Sequence, residues 1–354
     1  MNGNATRASA LLAATLLLGG AAKAATSGGI VVEVTPARQS LARSEDVTVT
    51  VTIRNTSTAW QYLPKWQTPF AGVQAPLFDV TRDGLPVGYL GILAKRPPPG
   101  PADVIALAPG AARSSRVELS ALYRMDITGA YTIRYRADRL RTRDQQTATA
   151  PLAASVWIDG RLPRGMPESS YEPATAALPT GSGLTFSHCS NAQQAGIADS
   201  VQTAQAMAQD ADAYLQANVL ADRYTNWFGL PDDARTATVG RHFGAIRDAF
   251  ATRPITVDCA CTQPWYAYVY ANQPYTIHVC KAFWTAPMTG TDSKGGTLVH
   301  EMSHFTVVAG TDDWVYGQAA AAALAGSHPE RAVDNADSHE YFGENEPRRN
   351  LRRR

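Results

Sequence analysis

The chain has 354 residues, which is enough for two domains. Its 32 lysines and arginines nearly balance its 31 aspartates and glutamates, so the formal net charge is +1. This balance argues against binding to nucleic acid or to an acidic membrane surface through bulk charge.

The N-terminus has the features of a secretory signal peptide, which we assign to residues 1–24. Arg7 supplies a small positive region, residues 10–22 are apolar, and Ala22-Lys23-Ala24 fits a small-x-small cleavage site. The apolar run is too short for a comfortable membrane span, and no other stretch approaches that length. We therefore predict a secreted protein without a membrane span, in which disulfides can form.

Residues 28–158 are predicted to form an all-β domain. Segments rich in β-branched and aromatic residues alternate with turn signals such as Asp83-Gly84 and Thr128-Gly129. The predicted strands cover 30–34, 47–53, 77–80, 117–119, 131–136 and 155–158. Short strands separated by turns favour an immunoglobulin-like sandwich. The region contains no His and no Cys, and no catalytic group is apparent in it.

A linker rich in Pro, Gly and Ser follows over residues 159–182, and we expect a processing site there. Residues 183–346 are predicted to form a mainly helical α+β domain, and residues 347–354 form a short basic tail. The elements expected in this second domain are a helix that Ser190 caps, a helix over 236–250, a Tyr-rich hairpin over 255–280 and an Ala-rich helix from Gln318.

The segment His300-Glu301-Met302-Ser303-His304 is an HExxH motif. On a helix the two histidines lie one turn apart on the same face, so both imidazoles can bind one zinc ion. Glu301 lies beside them, where it can act as the general base on the attacking water. Leu298, Val299 and Met302 give the segment an apolar face, which is typical of a core helix rather than a solvated one.

A hydrolytic zinc ion needs a third protein ligand, and two aspartates follow the helix. Gly310-Thr311 can turn the chain, and Asp312 and Asp313 come next. The spacing alone leaves both aspartates as candidates.

The whole segment, HExxH followed by GTxDxxYG, resembles the aspzincin metallopeptidases, the deuterolysin and peptidyl-lysine metalloendopeptidase group. The resemblance implies a zincin-like fold with one zinc ion per chain, bound by His300, His304 and Asp313. It also implies that the Tyr316 hydroxyl stabilises the oxyanion of the tetrahedral intermediate, while Glu301 accepts the proton of the attacking water and transfers it to the leaving amine. Asp312 occupies the variable place of the pattern, and we expect it to be a solvated turn residue.

All four cysteines lie in the second half of the chain, and export favours two disulfides over a metal site. A bridge between Cys259 and Cys261 would be strained. We favour Cys189–Cys259 with Cys261–Cys280, a pairing that also resembles the arrangement in peptidyl-lysine endopeptidases. A Cys259–Cys280 bridge is the alternative that would refute this choice.

Asp337 and Glu340 are three residues apart and share one helix face. Such a pair is usually a solvated acidic edge, but the segment resembles the lysine-specific members of the family. There, two acids at the matching positions bind the side chain that follows the scissile bond. The resemblance therefore implies cleavage of protein or peptide substrates on the N-terminal side of lysine. We expect His339, which lies between the two acids, to be structural or to touch substrate.

The β-rich domain resembles the propeptide region of this family, so we expect a prodomain that covers the cleft and keeps the enzyme inactive. A weaker hypothesis is that Lys65 or Lys95 occupies the acidic pocket as the inhibitory side chain. An accessory module that stays attached is the alternative for this domain. For the whole chain, the alternatives are a broader deuterolysin-like endopeptidase and, from another class, a secreted non-catalytic zinc-containing binding protein.

Overall fold

A computed structural model describes residues 29–43, 45–140, 148–149, 152–165 and 183–348. The predicted signal peptide, most of the linker and most of the basic tail lie outside these residues. Within them, no helix is both long and apolar enough to cross a membrane.

The described part of the N-terminal region is rich in strands, as predicted. The strands are β1 Ile30–Pro36, β2 Ser40–Leu41, β3 Thr48–Asn55, β4 Gln61–Pro64, β5 Phe78–Arg82, β6 Leu85–Pro86, β7 Ile92–Lys95, β8 Val104–Leu107, β9 Ala112–Glu118, β10 Gly129–Tyr135 and β11 Ala154–Ile158. Two short 3₁₀ helices cover Lys65–Gln67 and Pro101–Asp103.

These strands form two main sheets around one apolar core. One sheet has the order β1-β3-β9 and the other β2-β11-β10-β5-β6. Residues of β3 and β10 alternate between inward and outward positions, so Val49, Val51 and Ile53 point into the core beside Tyr131 and Ile133. The immunoglobulin-like topology stays a prediction.

The second region combines helices with a small sheet. Its elements are β12 Gly183–Ser187, α1 Asn191–Gln216, α2 Asp222–Phe228, α3 Asp233–Thr252, β13 Pro254–Asp258, β14 Ala267–Tyr270, β15 Thr276–Val279, α4 Lys281–Thr285, α5 Lys294–His304, α6 Gln318–Ser327, α7 Pro329–Ala332 and α8 Ala336–Glu344. Helix α1 begins at the predicted cap, where the Ser190 hydroxyl accepts a hydrogen bond from the Gln193 N–H.

The sheet of this region has the order β12-β13-β15-β14-β7. The predicted hairpin over 255–280 is only partly right, because β13 runs parallel to β15 and only β14 and β15 are antiparallel. The fifth strand, β7, comes from the N-terminal region and pairs antiparallel with β14. The two regions are therefore joined by a shared sheet edge.

Both disulfides lie in the second region. Cys189 is bonded to Cys259 and Cys261 to Cys280, which is the favoured pairing. The first bridge joins the end of β12 to the end of β13, and the second spans the loop that carries β14 and β15.

Each region has its own hydrophobic core. The buried apolar core of the second region consists of side chains from Ile197 onwards, together with one from the N-terminal region, Leu93 on β7. The N-terminal core lies between its own sheets. Separate cores are what a chain of two independently folding units shows.

Candidate active site

Helix α5 positions the HExxH side chains in the centre of the second region. Its first turn is capped by Ser293, whose hydroxyl accepts a hydrogen bond from the Gly296 N–H at 2.9 Å. The helix packs against α1 and α8, and every residue from Gly295 to His304 is buried. The apolar face predicted from the sequence is thus a core face, and the polar side chains lie inside the protein.

Three of these buried side chains converge on one point. His300 Nε2 lies 3.1 Å from His304 Nε2, and Asp313 Oδ1 lies 3.2 and 3.4 Å from these two nitrogens. Two ligands that are each about 2.0–2.1 Å from a tetrahedral zinc ion lie roughly 3.3 Å apart. The triangle therefore has the size of one face of a zinc coordination sphere.

The chemistry of the three donors also fits zinc. The His304 Nδ1 lies 2.8 Å from the Thr311 carbonyl oxygen, so Nδ1 carries the proton and Nε2 keeps its lone pair for a metal. Among the described residues, no donor bonds the buried Asp313 Oδ1. Burial acts to raise the pKa of Asp313, but the two imidazoles hold it well below its ordinary value. The carboxylate in turn raises the pKa of both imidazoles against the effect of burial, and once they are deprotonated the site offers two imidazole nitrogens and one carboxylate.

Glu301 and Tyr316 face the same space from opposite sides. Burial raises the pKa of Glu301 to about 7, although the neighbouring histidines act to lower it. Tyr316 is also buried, and its hydroxyl donates a hydrogen bond of 2.9 Å to the Ala94 carbonyl. A carboxylate and a phenol on either side of a peptide are suited to proton transfer and to oxyanion stabilisation.

Beside His300 lies an acidic pocket formed by three carboxylates. Asp337 and Glu340, the predicted pair, are fully buried on α8. Asp292, from the turn before α5, is the third and was not expected from the sequence. The Tyr341 hydroxyl donates to Asp292 at 2.8 Å and also lies 3.3 Å from Asp337.

Lys95, at the end of β7, fills this pocket. Its ammonium nitrogen lies 2.6 Å from Glu340, 3.0 Å from Asp292 and 3.6 Å from Asp337, and its side chain has no exposed surface. Burial acts to lower the pKa of Lys95, but these carboxylates hold it well above its ordinary value. Lys65, the other candidate of the sequence analysis, is exposed on the N-terminal region.

The peptide bond that precedes Lys95 lies against Glu301, Asp313 and Tyr316. The Lys95 N–H donates to Glu301 Oε1 at 3.2 Å, and the Ala94 N–H donates to Asp313 Oδ2 at 3.2 Å. With the Tyr316 hydroxyl on the Ala94 carbonyl, the Ala94–Lys95 bond is surrounded by the residues predicted to do the chemistry.

A second group of potential metal ligands shares His300 with the first. His300 Nδ1 lies 3.0 Å from Asp337 and 3.3 Å from Glu340, on the side opposite to Nε2. The Lys95 ammonium already contacts both of these acids. The two carboxylates thus lie behind the His300 ring, where they can fix its orientation.

Asp312 differs from its predicted role as a solvated turn residue. It is largely buried, and Arg136 and Arg139 of the N-terminal region each donate to its carboxylate at 2.7 Å. Burial acts to raise the pKa of Asp312, but the two guanidinium groups lower it to about 2. Arg139 also stacks on Trp314, with its guanidinium carbon 3.6 Å from the ring centroid. The contact was not predictable because its partners are about 175 residues away in the sequence.

His339 lies on α8 but faces away from the acidic pocket. Its Nε2 is 3.0 Å from His242 Nδ1, and its ring packs on Phe228 and Phe243. Of the two roles expected for His339, the structure favours the structural one.

A family model described as "Lysine-specific metallo-endopeptidase", the aspzincin model, matches residues 213–344. An "Extracellular protease" from Aeromonas hydrophila is 41% identical over 317 residues, which cover 87% of this chain and 90% of that protein. A "Peptidyl-Lys metalloendopeptidase" from Grifola frondosa is 38% identical over 244 residues, or 68% of this chain and 69% of that protein. A solved zinc peptidase from Grifola frondosa is 46% identical, with a TM-score of 0.44, and matches 46% of this chain and 99% of its own.

Proposed function

This chain belongs to the aspzincin family of metallopeptidases and is a zinc metalloendopeptidase, and we propose that it is secreted as an inactive precursor and cuts peptide bonds before lysine. In this proposal residues 1–24 are a signal peptide, residues 28–158 a prodomain, residues 159–182 a linker that is processed and residues 183–346 the peptidase domain. The relative from Aeromonas hydrophila is named an extracellular protease, which agrees with secretion.

One observation carries the proposal. Lys95 lies fully buried among three carboxylates while the peptide bond before it lies between Glu301 and Tyr316. A lysine side chain in this pocket thus brings the bond on its N-terminal side to the catalytic groups. Strand β7 adds to the free edge of β14, which is how an extended peptide binds to a sheet edge. The segment therefore supports both the lysine preference and the inhibitory role.

We propose that His300, His304 and Asp313 hold the zinc ion. When bound, zinc supplies Lewis acidity, which polarises the substrate carbonyl and makes water a better nucleophile. Glu301 takes the proton from the attacking water. Its Oε1 faces the backbone nitrogen of Lys95, so the same carboxylate can pass the proton to the leaving amine. The Tyr316 hydroxyl faces the carbonyl oxygen on which negative charge develops.

The pocket explains why lysine is preferred. A partly hydrated acidic edge would bind any cation weakly, whereas buried carboxylates interact strongly with a desolvated ammonium ion. The ammonium is compact and contacts three separate carboxylates, while the planar guanidinium of arginine needs a wider fork. We therefore expect arginine at this position to be accepted less well than lysine.

The linker contains Arg161 and Arg164 but no lysine. An enzyme that cuts before lysine does not process such a linker itself, so we propose that another protease activates the precursor. Sequencing of the mature N-terminus checks this, and a mature form that starts at one of the chain's own lysines would contradict it.

The test of the proposed function is digestion of a defined protein by the full chain before its linker is cut, and by the second region after the linker is cut and the N-terminal region is removed. Mass spectrometry of the products should show cuts before lysine, which a chelator abolishes and added zinc restores. The processed Glu301→Gln variant is the control for contaminating proteases. A cleavage consensus without lysine would leave a broader endopeptidase, and equal activity before and after processing would reject the prodomain.

A further inference from the structure

The residue after Lys95 rests on an aromatic ring of the second region. The guanidinium carbon of Arg96 lies 4.2 Å from the centroid of the Trp265 ring, and Arg96 is 5% exposed. The carbonyl of Lys95 accepts a hydrogen bond of 3.1 Å from the Tyr266 N–H. The backbone at Lys95 and the side chain at Arg96 thus both contact one short loop.

This loop is held in place by covalent and backbone bonds. The disulfide between Cys261 and Cys280 closes it. The Cys280 N–H donates to the Tyr266 carbonyl at 2.8 Å, and the Ala282 N–H donates to the Trp265 carbonyl at 2.9 Å. A site that is ordered before its ligand arrives loses less entropy on binding. The ring and the Tyr266 N–H are therefore held in place before an incoming chain binds.

The other partners of Arg96 belong to the N-terminal region. Arg96 donates to the Gln74 carbonyl at 3.2 Å and lies 5.9 Å from the Trp66 ring centroid. Both partners are absent from a processed enzyme, whereas Trp265 remains. Among the described residues Arg96 has no carboxylate partner within ion-pair distance, so the face of the Trp265 ring supplies the attraction.

We propose that Trp265 and Tyr266 form a second specificity subsite, which receives the residue that follows the substrate lysine. The Tyr266 N–H holds the carbonyl of that lysine, and the Trp265 ring binds the next side chain through its face, with a preference for arginine. The inference rests on the proposed function, because it takes residues 94–96 as a guide to how a substrate lies. A planar guanidinium stacks on an indole better than an ammonium does.

The experiment uses the enzyme obtained from the full chain by cutting the linker with a serine protease, which is then inhibited, and by removing the N-terminal region. The substrates are internally quenched peptides copied from residues 90–98, with arginine, citrulline or alanine at the position of Arg96. Citrulline keeps the planar shape of arginine but not its charge. We expect kcat/KM to be about threefold to thirtyfold higher for arginine than for alanine, with citrulline between them.

Trp265→Ala should lower the ratio of kcat/KM for arginine over alanine to about one, and Trp265→Phe should lower it in part. Trp284→Ala, which removes a half-buried tryptophan elsewhere in the same region, is the control and should leave the ratio unchanged. Thermal melts of all variants show whether they are folded.

An equal kcat/KM for arginine and alanine in the unmodified enzyme overturns the subsite without any variant, and so does an unchanged ratio in folded Trp265→Ala. Failure of the proposed function has a different signature. In that case no peptide of the series is cut before its lysine, whatever residue follows.

Discussion

Replacing Lys95 by methionine tests the inhibitory contact most directly. The change keeps the unbranched side chain up to Cε but leaves three carboxylates without their ammonium, and two of them, Asp337 and Glu340, have no exposed surface. Breaking a buried ion pair by removing one partner costs about 3–5 kcal/mol. This corresponds to a shift of about 10²–10⁴-fold from the docked towards the open state.

The measurement is the initial rate at which the uncut, zinc-loaded full chain cleaves a lysine peptide. We expect the Lys95→Met chain to be at least about tenfold more active than wild type, yet below the processed enzyme, because β7 still pairs with β14. Lys65→Met is the matched control, since Lys65 is exposed. A Lys95→Met chain as silent as wild type, or equal activation by Lys65→Met, would refute the reasoning.

Four further outcomes are expected. Glu301→Gln should reduce turnover of the processed enzyme by more than about 10²-fold, while metal analysis still finds zinc. Tyr316→Phe should reduce kcat by roughly 10²-fold with little change in KM, as loss of an oxyanion donor does; an unchanged kcat would remove it from the mechanism. Arg139→Ala should partly activate the full chain without any change inside the cleft, because it removes the contacts of the N-terminal region with Asp312 and Trp314, on the turn that carries Asp313. A variant whose full chain is as inactive as the wild type would contradict this. Burial and, to a smaller extent, the charge of Arg241 lower the pKa of His242 to about 4. Burial and, to a smaller extent, His242 lower the pKa of His339 to about 3. The unfolded state therefore binds more protons than the native state between these values and about 6.5, so stability should fall as the pH drops through that range. Urea unfolding of the full chain should show this fall, and His242→Gln should make it smaller; the same slope in both proteins would contradict the assignment.

The parts of the molecule that depend on local pattern were predictable. Helix α5 and its buried face follow from the spacing of apolar residues, and the close approach of the His300 and His304 imidazoles follows from the i, i+4 relation within it. The strands β1, β3 and β10 lie where alternating Val, Thr and Tyr residues indicate them. In each case the signal and the structure lie within the same few residues.

Strand β7 could not be predicted in the same way. Its four residues lie just before a run of prolines and show no alternation of polar and apolar side chains. They form a strand because they pair with β14, which begins at Ala267, far away in the sequence. The identity of the lysine that fills the acidic pocket was open for the same reason, since nothing near Lys65 or Lys95 tells which of them reaches α8. Asp292 and Trp265 were missed because their roles depend on what lies opposite them in space.

A segment that docks like a substrate inhibits only if it stays bound, and the flanks of β7 meet this requirement. On one side the Leu90 N–H donates to the Leu122 carbonyl, and on the other Arg96 donates to the Gln74 carbonyl. Both anchors belong to the N-terminal region, so β7 is presented as a restrained loop rather than as a free peptide. If the Ala94–Lys95 bond were cut, each new end would still be held beside the catalytic groups, at a high effective concentration. In the proposed precursor, latency thus depends on the integrity of the N-terminal region, and we expect that separating the two regions, rather than cutting this loop, opens the cleft.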